Sequence, residues 1–511
     1  MTTAATAGQP IAAGYRRWFL LAIVVTTQTL YSMTILVVSV VLPQMQGSLS
    51  ATPDQISWAM TANILATAVV TPLSGWLSGR FGWRNVMLFS LAGFSIATVF
   101  CGLAGSLGSL VVFRALQGGC GAPMTPLAQA IILSTFPKRE HGLATSLFGM
   151  GVVIGPILGP IYGGYLSEIY DWRWAFYMIV PIAVAGWIGL WVILHDGGRQ
   201  ERIQFAWTGF LSLAVALACL QLILDRGQRL DWFYSNEITT ETVIGVFAFA
   251  VYLANSLLSR TPVLNLRFLL NRNYGLGLII VTVYGMLNFT PMVMLPPLLK
   301  NLGGYPDSII GILLAGRGAG AVVGFFLANW VARVDHRIGM SLGFLLQAWS
   351  GWVMTGFNMD VTILDVMTTS AAQGLAVGFI WVPLTVSTFA NIETKHMAET
   401  STMFHLLRNI GSSIFISLSV MTVVRSSASN FARLTEFVSP FNEALRDYGV
   451  SSLHSYTNLA ELARLNAELV DQAQLIGFLN AFGLYTMMCL LVLPMIFLVK
   501  PPKRQAAGSA D

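Results

Sequence analysis

Charge is what this sequence has least of. Only 10% of its 511 residues are Asp, Glu, Lys or Arg, against roughly a quarter in an ordinary soluble domain. With 55% hydrophobic residues, the chain cannot cover a water-facing surface. That excludes a soluble globular protein and leaves a polytopic membrane protein. Cysteine is scarce too. Cys101, Cys120, Cys219 and Cys489 each lie in an apolar run and form no CxxC pair. This argues against disulfides and zinc, and for small buried hydrophobes. No HExxH, no GxSxG and no close carboxylate pair occurs inside the apolar runs. A membrane-embedded enzyme therefore fits poorly, and neither metal nor cofactor is expected. The net charge of +5 does not imply nucleic acid, because its placement along the chain explains it better.

What is abundant is apolar length. Runs long enough to cross a bilayer, at roughly 20 residues each, fall near 18–42, 57–78, 85–105, 107–134, 142–166, 173–194, 206–224, 240–258, 274–299, 308–332, 338–357, 361–390, 399–424 and 475–498. The sequence thus predicts fourteen spans. Arg16 and Arg17 precede a first run too long for a signal-peptide core, so it reads as an uncleaved span. With the N-terminus inside, the termini and even-numbered loops hold seventeen Lys and Arg, from Arg16 to Arg504. The short outer loops hold only Arg173, Arg226, Arg229 and Lys300. The positive-inside rule then puts both termini in the cytoplasm of a multi-pass inner-membrane protein.

The chain repeats itself. Leu42, Pro43, Pro53 and Asp54 recur at Leu295, Pro296, Pro306 and Asp307, always 253 residues later. The same offset carries Arg80 to Arg333 and Arg84 to Arg337, and Gln117-Gly118 has a counterpart in Gln373-Gly374. Spans 1–6 therefore pair with spans 9–14. The expected division is an N-terminal six-helix bundle (1–203), two inserted helices with their linker (204–272), and a C-terminal six-helix bundle (273–511) that includes an outer loop near 426–473. Parallel halves of this kind are a transporter plan, with the substrate between them near the midplane.

Three basic residues remain inside spans: Arg114, Arg317 and Arg408. Arg114, Gln117, Gly118 and Gly121 follow i, i+3, i+4, i+7 spacing and share one polar, small helical face. An intramembrane arginine is costly and normally buried and functional. Two readings stand for Arg114: a cavity or coupling residue, or a packing arginine satisfied by backbone carbonyls. Arg317 lies among Gly316, Gly320 and Gly324, and a cavity role is weighed against packing. His405 and Arg408 share a face of the thirteenth span, and His405 is expected to be a solvated side chain near the cytoplasmic end rather than a proton relay.

In the fifth span, Gly151, Gly155, Gly159 and Gly163 make a ridge on which another backbone can approach closely. Pro156 and Pro160 remove two helical donors beside it, so a bend is expected, and with Gly164 the stretch reads as a hinge or as plain close packing. "GWLSGRFGWR", with Gly75, Arg80, Gly82 and Arg84, reads as a cytoplasmic gate or as topology determinants alone. No carboxylate lies near the middle of any span. The nearest are Asp365, weighed as a coupling group against a helix cap, and Asp225 at the outer end of the seventh span. "NLAELARLNAELV" (458–470) predicts an amphipathic helix on the outer side, lying on the membrane surface or docking a partner.

These motifs resemble the major facilitator superfamily, in its fourteen-span drug:proton antiporter branch, and are most similar to the Emr-type multidrug pump subunits. "GWLSGRFGWR", "FRALQGGCGA" and "GPILGPIYGG" are similar to its loop 2–3, fourth-span and fifth-span motifs. "NLGGYPDSIIGILLAGRG", "FHLLRNIGSSI", "SPFN" and "VKPPKR" add to the likeness. The resemblance implies an all-α major-facilitator-type fold, efflux driven by inward proton flow, a periplasmic adaptor and an outer-membrane channel. Two departures stand out. The loop motif usually has an aspartate where Gly79 stands, and the branch's first-span aspartate is replaced here by Thr34. The resulting expectation is an inner-membrane exporter of lipophilic drugs working by alternating access. The alternative is a facilitator or organic-anion exporter not coupled to protons through a first-span carboxylate.

Overall fold

The computed structural model describes residues 14–195, 205–259, 262–439 and 459–499, and these are helical throughout, with short connections. The helices are α1 (Arg16–Ser48), α2 (Pro53–Val70), α3 (Leu73–Phe81), α4 (Trp83–Leu103), α5 (Leu107–Gly121), α6 (Met124–Thr135), α7 (His141–Ile169), α8 (Trp174–Tyr177), α9 (Ile179–Ile193), α10 (Trp207–Arg226), α11 (Asn236–Leu258), α12 (Arg272–Asn301), α13 (Asp307–Val334), α14 (His336–Met354), α15 (Ile363–Phe389), α16 (Met397–Glu436), α17 (Leu459–Leu491) and α18 (Leu493–Phe497).

Each predicted run coincides with one helix or with a broken pair. Among the described residues, eleven helices are long and apolar enough to cross a membrane, and α2 with α3, bent by 57°, makes a twelfth. The runs at 107–134 and 338–357 fall short of that measure. Ala122-Pro123 splits the first into α5 and α6, each too short alone, because proline cannot continue the hydrogen-bond ladder. The second, α14, has 19 residues and carries His336, Arg337, Gln347 and three glycines.

The packing follows the repeat. α1 lies on α7 as α12 lies on α16; α2 on α5 as α13 on α15; α4 on α5 as α14 on α15; α4 on α9 as α14 on α17. Capping boxes start three of these helices: Thr52 with Gln55, Ser106 with Ser109, and Thr362 with Asp365. The halves meet where α7 packs on α13 and α15, and where α16 packs on α3 and α6. α10 is seated against α2 and α16, with α11 packed on α10.

The described parts of the expected outer loop at 426–473 are helix to Glu436 and again from Leu459. α16 runs unbroken for 40 residues to Glu436, about 60 Å at 1.5 Å per residue. α17 begins at Leu459, so the amphipathic stretch expected near 456–470 is the first part of the last spanning helix rather than a separate element. The two helices pack together, and Asn480 Nδ2 donates to Ser426 Oγ at 2.6 Å. Both exceed the roughly 30 Å of a bilayer core, so they project as a helical hairpin on the face opposite the loop that carries Gly75. Residues 440–458, which include most of "SPFN", lie outside the described residues, as does the tail from Lys500.

Candidate functional site

Arg114 is buried, at 1% exposure, and it is satisfied inside its own half. Its Nε donates to the Ala59 carbonyl at 3.0 Å, and its Nη1 to the Thr34 carbonyl at 3.5 Å and to Gln117 Oε1. Gln117 Nε2 donates to Thr98 Oγ1 at 2.7 Å. The guanidinium also lies 6.0 Å from the centre of the Phe176 ring. One side chain thus ties α1, α2, α4 and α5 together. Gly118 makes the approach possible: a Cβ there would meet Thr67 Oγ1 at 2.9 Å and the Asn63 carbonyl carbon at 3.0 Å. Arg114 thus pairs with a polar side chain and with backbone carbonyls of its own bundle.

The C-terminal half builds the same cluster from different parts. Arg317 Nη1 donates to Gln373 Oε1 at 3.1 Å, and its Nη2 to Asn288 Oδ1 at 2.8 Å and to the Asn288 carbonyl. Gln373 Nε2 donates to Ser350 Oγ at 2.9 Å. Gln117 and Gln373 are repeat partners, and each is held by a hydroxyl from its third-span helix. The arginines are not repeat partners: one comes from α5, the other from α13, the counterpart of α2. A guanidinium therefore occupies equivalent positions in both halves while arriving from non-equivalent helices. Arg317 lies inside its bundle at 1% exposure.

Arg408 sits between the halves. Its Nε and Nη2 donate to Asn409 Oδ1, at 3.4 and 3.1 Å, and its guanidinium lies 5.5 Å from the Trp381 ring centre. Tyr31 and Tyr284 both stand within its electrostatic reach, and these two tyrosines are 253 residues apart, the repeat offset itself. Among the described residues no carboxylate pairs with Arg114, Arg317 or Arg408.

His405 overturns its sequence expectation. It is 1% exposed, and its Nε2 is hydrogen-bonded to Gln129 Oε1 of α6 in the other half. Its distance along the chain from Lys395 suggested solvent, but α3 and α6 cover this part of α16.

On the same face, a Cβ on Gly75 would meet Glu399 Cα at 3.1 Å, and Lys138 Nζ donates to the Ala390 carbonyl at 3.1 Å. Gly82, at φ +83°, makes the turn between α3 and α4. Arg80 is exposed. Arg84 Nη2 donates to the Trp191 carbonyl at 3.0 Å, and its repeat partner Arg337 donates through Nε to the Val499 carbonyl at 2.6 Å. Both close off carbonyls at the end of the last helix of their own half, which a cation does well. The glycine of this motif touches the other half, whereas Arg84 does not.

The ridge of α7 lies against α1. A Cβ on Gly151 would meet Thr29 Oγ1 at 2.8 Å, on Gly155 the Thr29 carbonyl at 2.5 Å, on Gly159 the Met33 carbonyl at 2.7 Å, and on Gly163 Val37 Cγ2 at 2.6 Å. Gly164 stands off at 3.5 Å from Val40. α7 continues through Pro156 and Pro160 without a break.

Helices duplicated in sequence and packing, with a polar cluster in each half, are the pattern that a family comparison can decide. The model of the Major Facilitator Superfamily matches residues 24–416. The chain belongs to this superfamily. It is 30% identical over 484 residues to the multidrug export protein EmrB of Haemophilus influenzae, covering 91% of this chain and 92% of that one. It is 29% identical to the fatty acid resistance protein FarB of Neisseria gonorrhoeae, covering 92% and 94%. In fold it matches the proton:xylose symporter XylE, at a TM-score of 0.60, 12% identity and coverage of 95% and 96%. The human organic anion transporter MFSD10 gives 0.60, 12%, 94% and 99%. The protein is an efflux transporter, not an enzyme.

Within this superfamily member, Thr34 keeps its place beside the arginine: its carbonyl accepts from Arg114, while its hydroxyl donates to the Tyr31 carbonyl at 2.7 Å. Of the two readings weighed for Asp365, its contacts are those of the helix cap. It is exposed, at N3 of α15, and its carboxylate accepts from Thr362 N at 3.1 Å and Thr362 Oγ1 at 2.6 Å. A carboxylate in water at a helix start is a cap. Asp365→Asn is expected to weaken the start of α15 slightly and to leave the pH dependence of efflux unchanged. A pH profile flattened by this substitution would contradict the assignment. Asp225 accepts from Thr61 Oγ1 and so fastens α10 to α2.

Proposed function

We propose that this transporter exports lipophilic small molecules across the inner membrane by alternating access, driven by inward proton flow. The observation that carries this is the contrast between contacts within and between the halves. Each half closes its own polar network around a buried arginine, Arg114 or Arg317, whereas polar links between the halves among the described residues include His405 with Gln129 and Lys138 with Ala390. Such halves move as units. The moving units are 1–203 and 273–511, with 204–272 between them. The glycine ridge of α7 serves as the hinge surface, and Gly75, Arg80, Gly82 and Arg84 belong to the cytoplasmic gate. Gln117 and Gly118 hold the first cluster together. Both termini are cytoplasmic, and the α16–α17 hairpin then stands in the periplasm, where it suits an adaptor leading to an outer-membrane channel.

A second reading is export of organic anions without proton coupling. It is favoured by Arg408, a buried cation at the seam with no carboxylate opposite it among the described residues. Efflux from a strain lacking the gene and carrying it back on a plasmid, measured for a panel of lipophilic compounds with and without an uncoupler, separates the two. Proton-driven export predicts efflux that stops with the uncoupler. Efflux that persists and follows only the compound's gradient would favour the second reading. In the same assay, shortening both arms of the hairpin by equal numbers of turns is expected to abolish resistance in whole cells. Unchanged resistance would remove the adaptor from the scheme.

A further inference from the structure

Proton-driven export needs a group that can carry the proton, and the usual first-span carboxylate is Thr34 here. Three carboxylates come into question among the described residues: Asp365 is an exposed cap, Asp225 is engaged with Thr61 at the outer end of α10, and Glu399, at the start of α16, accepts from Asn265 N at 2.9 Å. A titratable side chain buried deeper in the seam between the halves stands further along α16.

We propose that His405 is the proton-binding site of this transporter, and that its protonation opens the seam on the side of Gly75 and Lys138. The inference rests on the proton-driven reading above for its place in a transport cycle, but its geometry stands apart from it. His405 belongs to the C-terminal half, and its Nε2 meets Gln129 Oε1 of the N-terminal half. With the amide oxygen facing it, Nε2 carries the hydrogen and donates. Nδ1 then holds the lone pair, and it is buried with no hydrogen-bond partner. Buried polar atoms are nearly always satisfied, whereas this lone pair is unsatisfied while the seam is closed and is free to take a proton once water reaches it. Gln129 Nε2 and Trp381 Nε1, in the same group of side chains, are buried without partners as well. The ring of Trp381 stands 5.9 Å from that of His405, and the ring of Phe404 5.6 Å.

What surrounds the imidazole decides what a proton does there. On its own helix, Arg408 is one turn away, and Glu399 lies toward the helix start with its carboxylate accepting from Asn265 N at 2.9 Å. From α12 come Tyr284 and Tyr274, the latter donating to the Thr400 carbonyl at 2.9 Å. α1 brings Tyr31 near Arg408. α6 contains no charged residue, the α15 segment around Trp381 contains none, and α3 carries only Arg80, which is exposed. An imidazolium in the closed seam would thus sit in apolar surroundings, one turn from a fixed cation, with no carboxylate facing it. Separation of α16 from α6 admits water and relieves both costs. The neutral ring stabilises the closed seam, and the charged ring stabilises the open one. A proton taken up from outside would open the inner side, and its release to the cytoplasm would allow closure, which is the order an exporter requires.

The test uses the full-length protein in nanodiscs with no substrate. Spin labels at Arg139→Cys and Asn391→Cys, exposed neighbours of the Lys138–Ala390 contact, in a background with the four native cysteines replaced, report the seam by pulsed electron resonance. Lowering the pH from about 8 to about 5.5, across the range where histidine titrates, is expected to shift the wild-type distance distribution to longer values. His405→Gln, which cannot titrate, is expected to lose that shift and keep the short distance. Gln129→Glu gives the imidazolium a counter-charge and is expected to hold the seam closed at low pH with His405 intact. A pH shift retained in His405→Gln would overturn the proposal, as would the absence of any shift in the wild type. If the shift depends on His405 while cellular efflux ignores an uncoupler, the seam switch stands and the proton-driven reading falls.

Discussion

Arg114→Ala is expected to abolish export while leaving the protein in the membrane at normal levels. The guanidinium has three acceptors, the Ala59 and Thr34 carbonyls and Gln117 Oε1, on three different helices. Hydrogen bonds to a charged group are worth about 1.5–3 kcal/mol each, so the substitution loosens the joint between α1, α2 and α5 by several kcal/mol. Insertion moves the other way, since an arginine at a helix centre costs about 2.5–3.5 kcal/mol on translocon scales. The loss should therefore appear in function rather than in abundance. Arg114→Lys should not rescue, because one ammonium cannot reach acceptors set by the planar fork of arginine. Immunoblotting of membranes beside an efflux assay decides the matter, and near-normal efflux by the alanine variant would refute the joint.

Gly159→Leu is the other substitution with a large expected effect. A Cβ alone at Gly159 would stand 2.7 Å from the Met33 carbonyl oxygen and 3.2 Å from Val37 N. Both are backbone atoms of α1, so no flexible side chain can yield. Overpacking costs typically about 1–3 kcal/mol, and here α1 and α7 must part along their shared length. Export should be lost and thermal stability in detergent should fall by several degrees, as expected for a cost of that size. Gly164→Ala is the control: its neighbour Val40 is at 3.5 Å, an ordinary contact, and near-normal export is expected. Equal behaviour of the two variants would show that the ridge is not the constraint.

Much of this architecture was legible in the sequence, for stated reasons. Apolar length marked the spans, and the 253-residue echo paired the halves before any helix was placed. Other features were hidden. Hydropathy falls where a helix leaves the bilayer, so the polar stretch Ser426–Asn430 looked like a loop although α16 continues through it. The twin arginine clusters could not be paired by alignment, because Arg114 and Arg317 reach equivalent positions from α5 and α13. Their glutamines, Gln117 and Gln373, were the only visible thread. Tyr31 and Tyr284 lay on the repeat diagonal, yet two tyrosines in apolar runs give no sign that one arginine sits between them. The burial of His405 depended on α3 and α6, helices more than 250 residues away in the chain, and no local pattern carries that information.

The length of α16 has a consequence outside the membrane. One rigid helix touches Gln129 at the seam through His405 and ends, about 45 Å later, in the projecting hairpin. A rod held near one end swings at the other, so a small tilt of the C-terminal half becomes a larger sweep of the tip. Whatever grips the hairpin is handed a mechanical signal of which way the transporter faces, without contacting the substrate path.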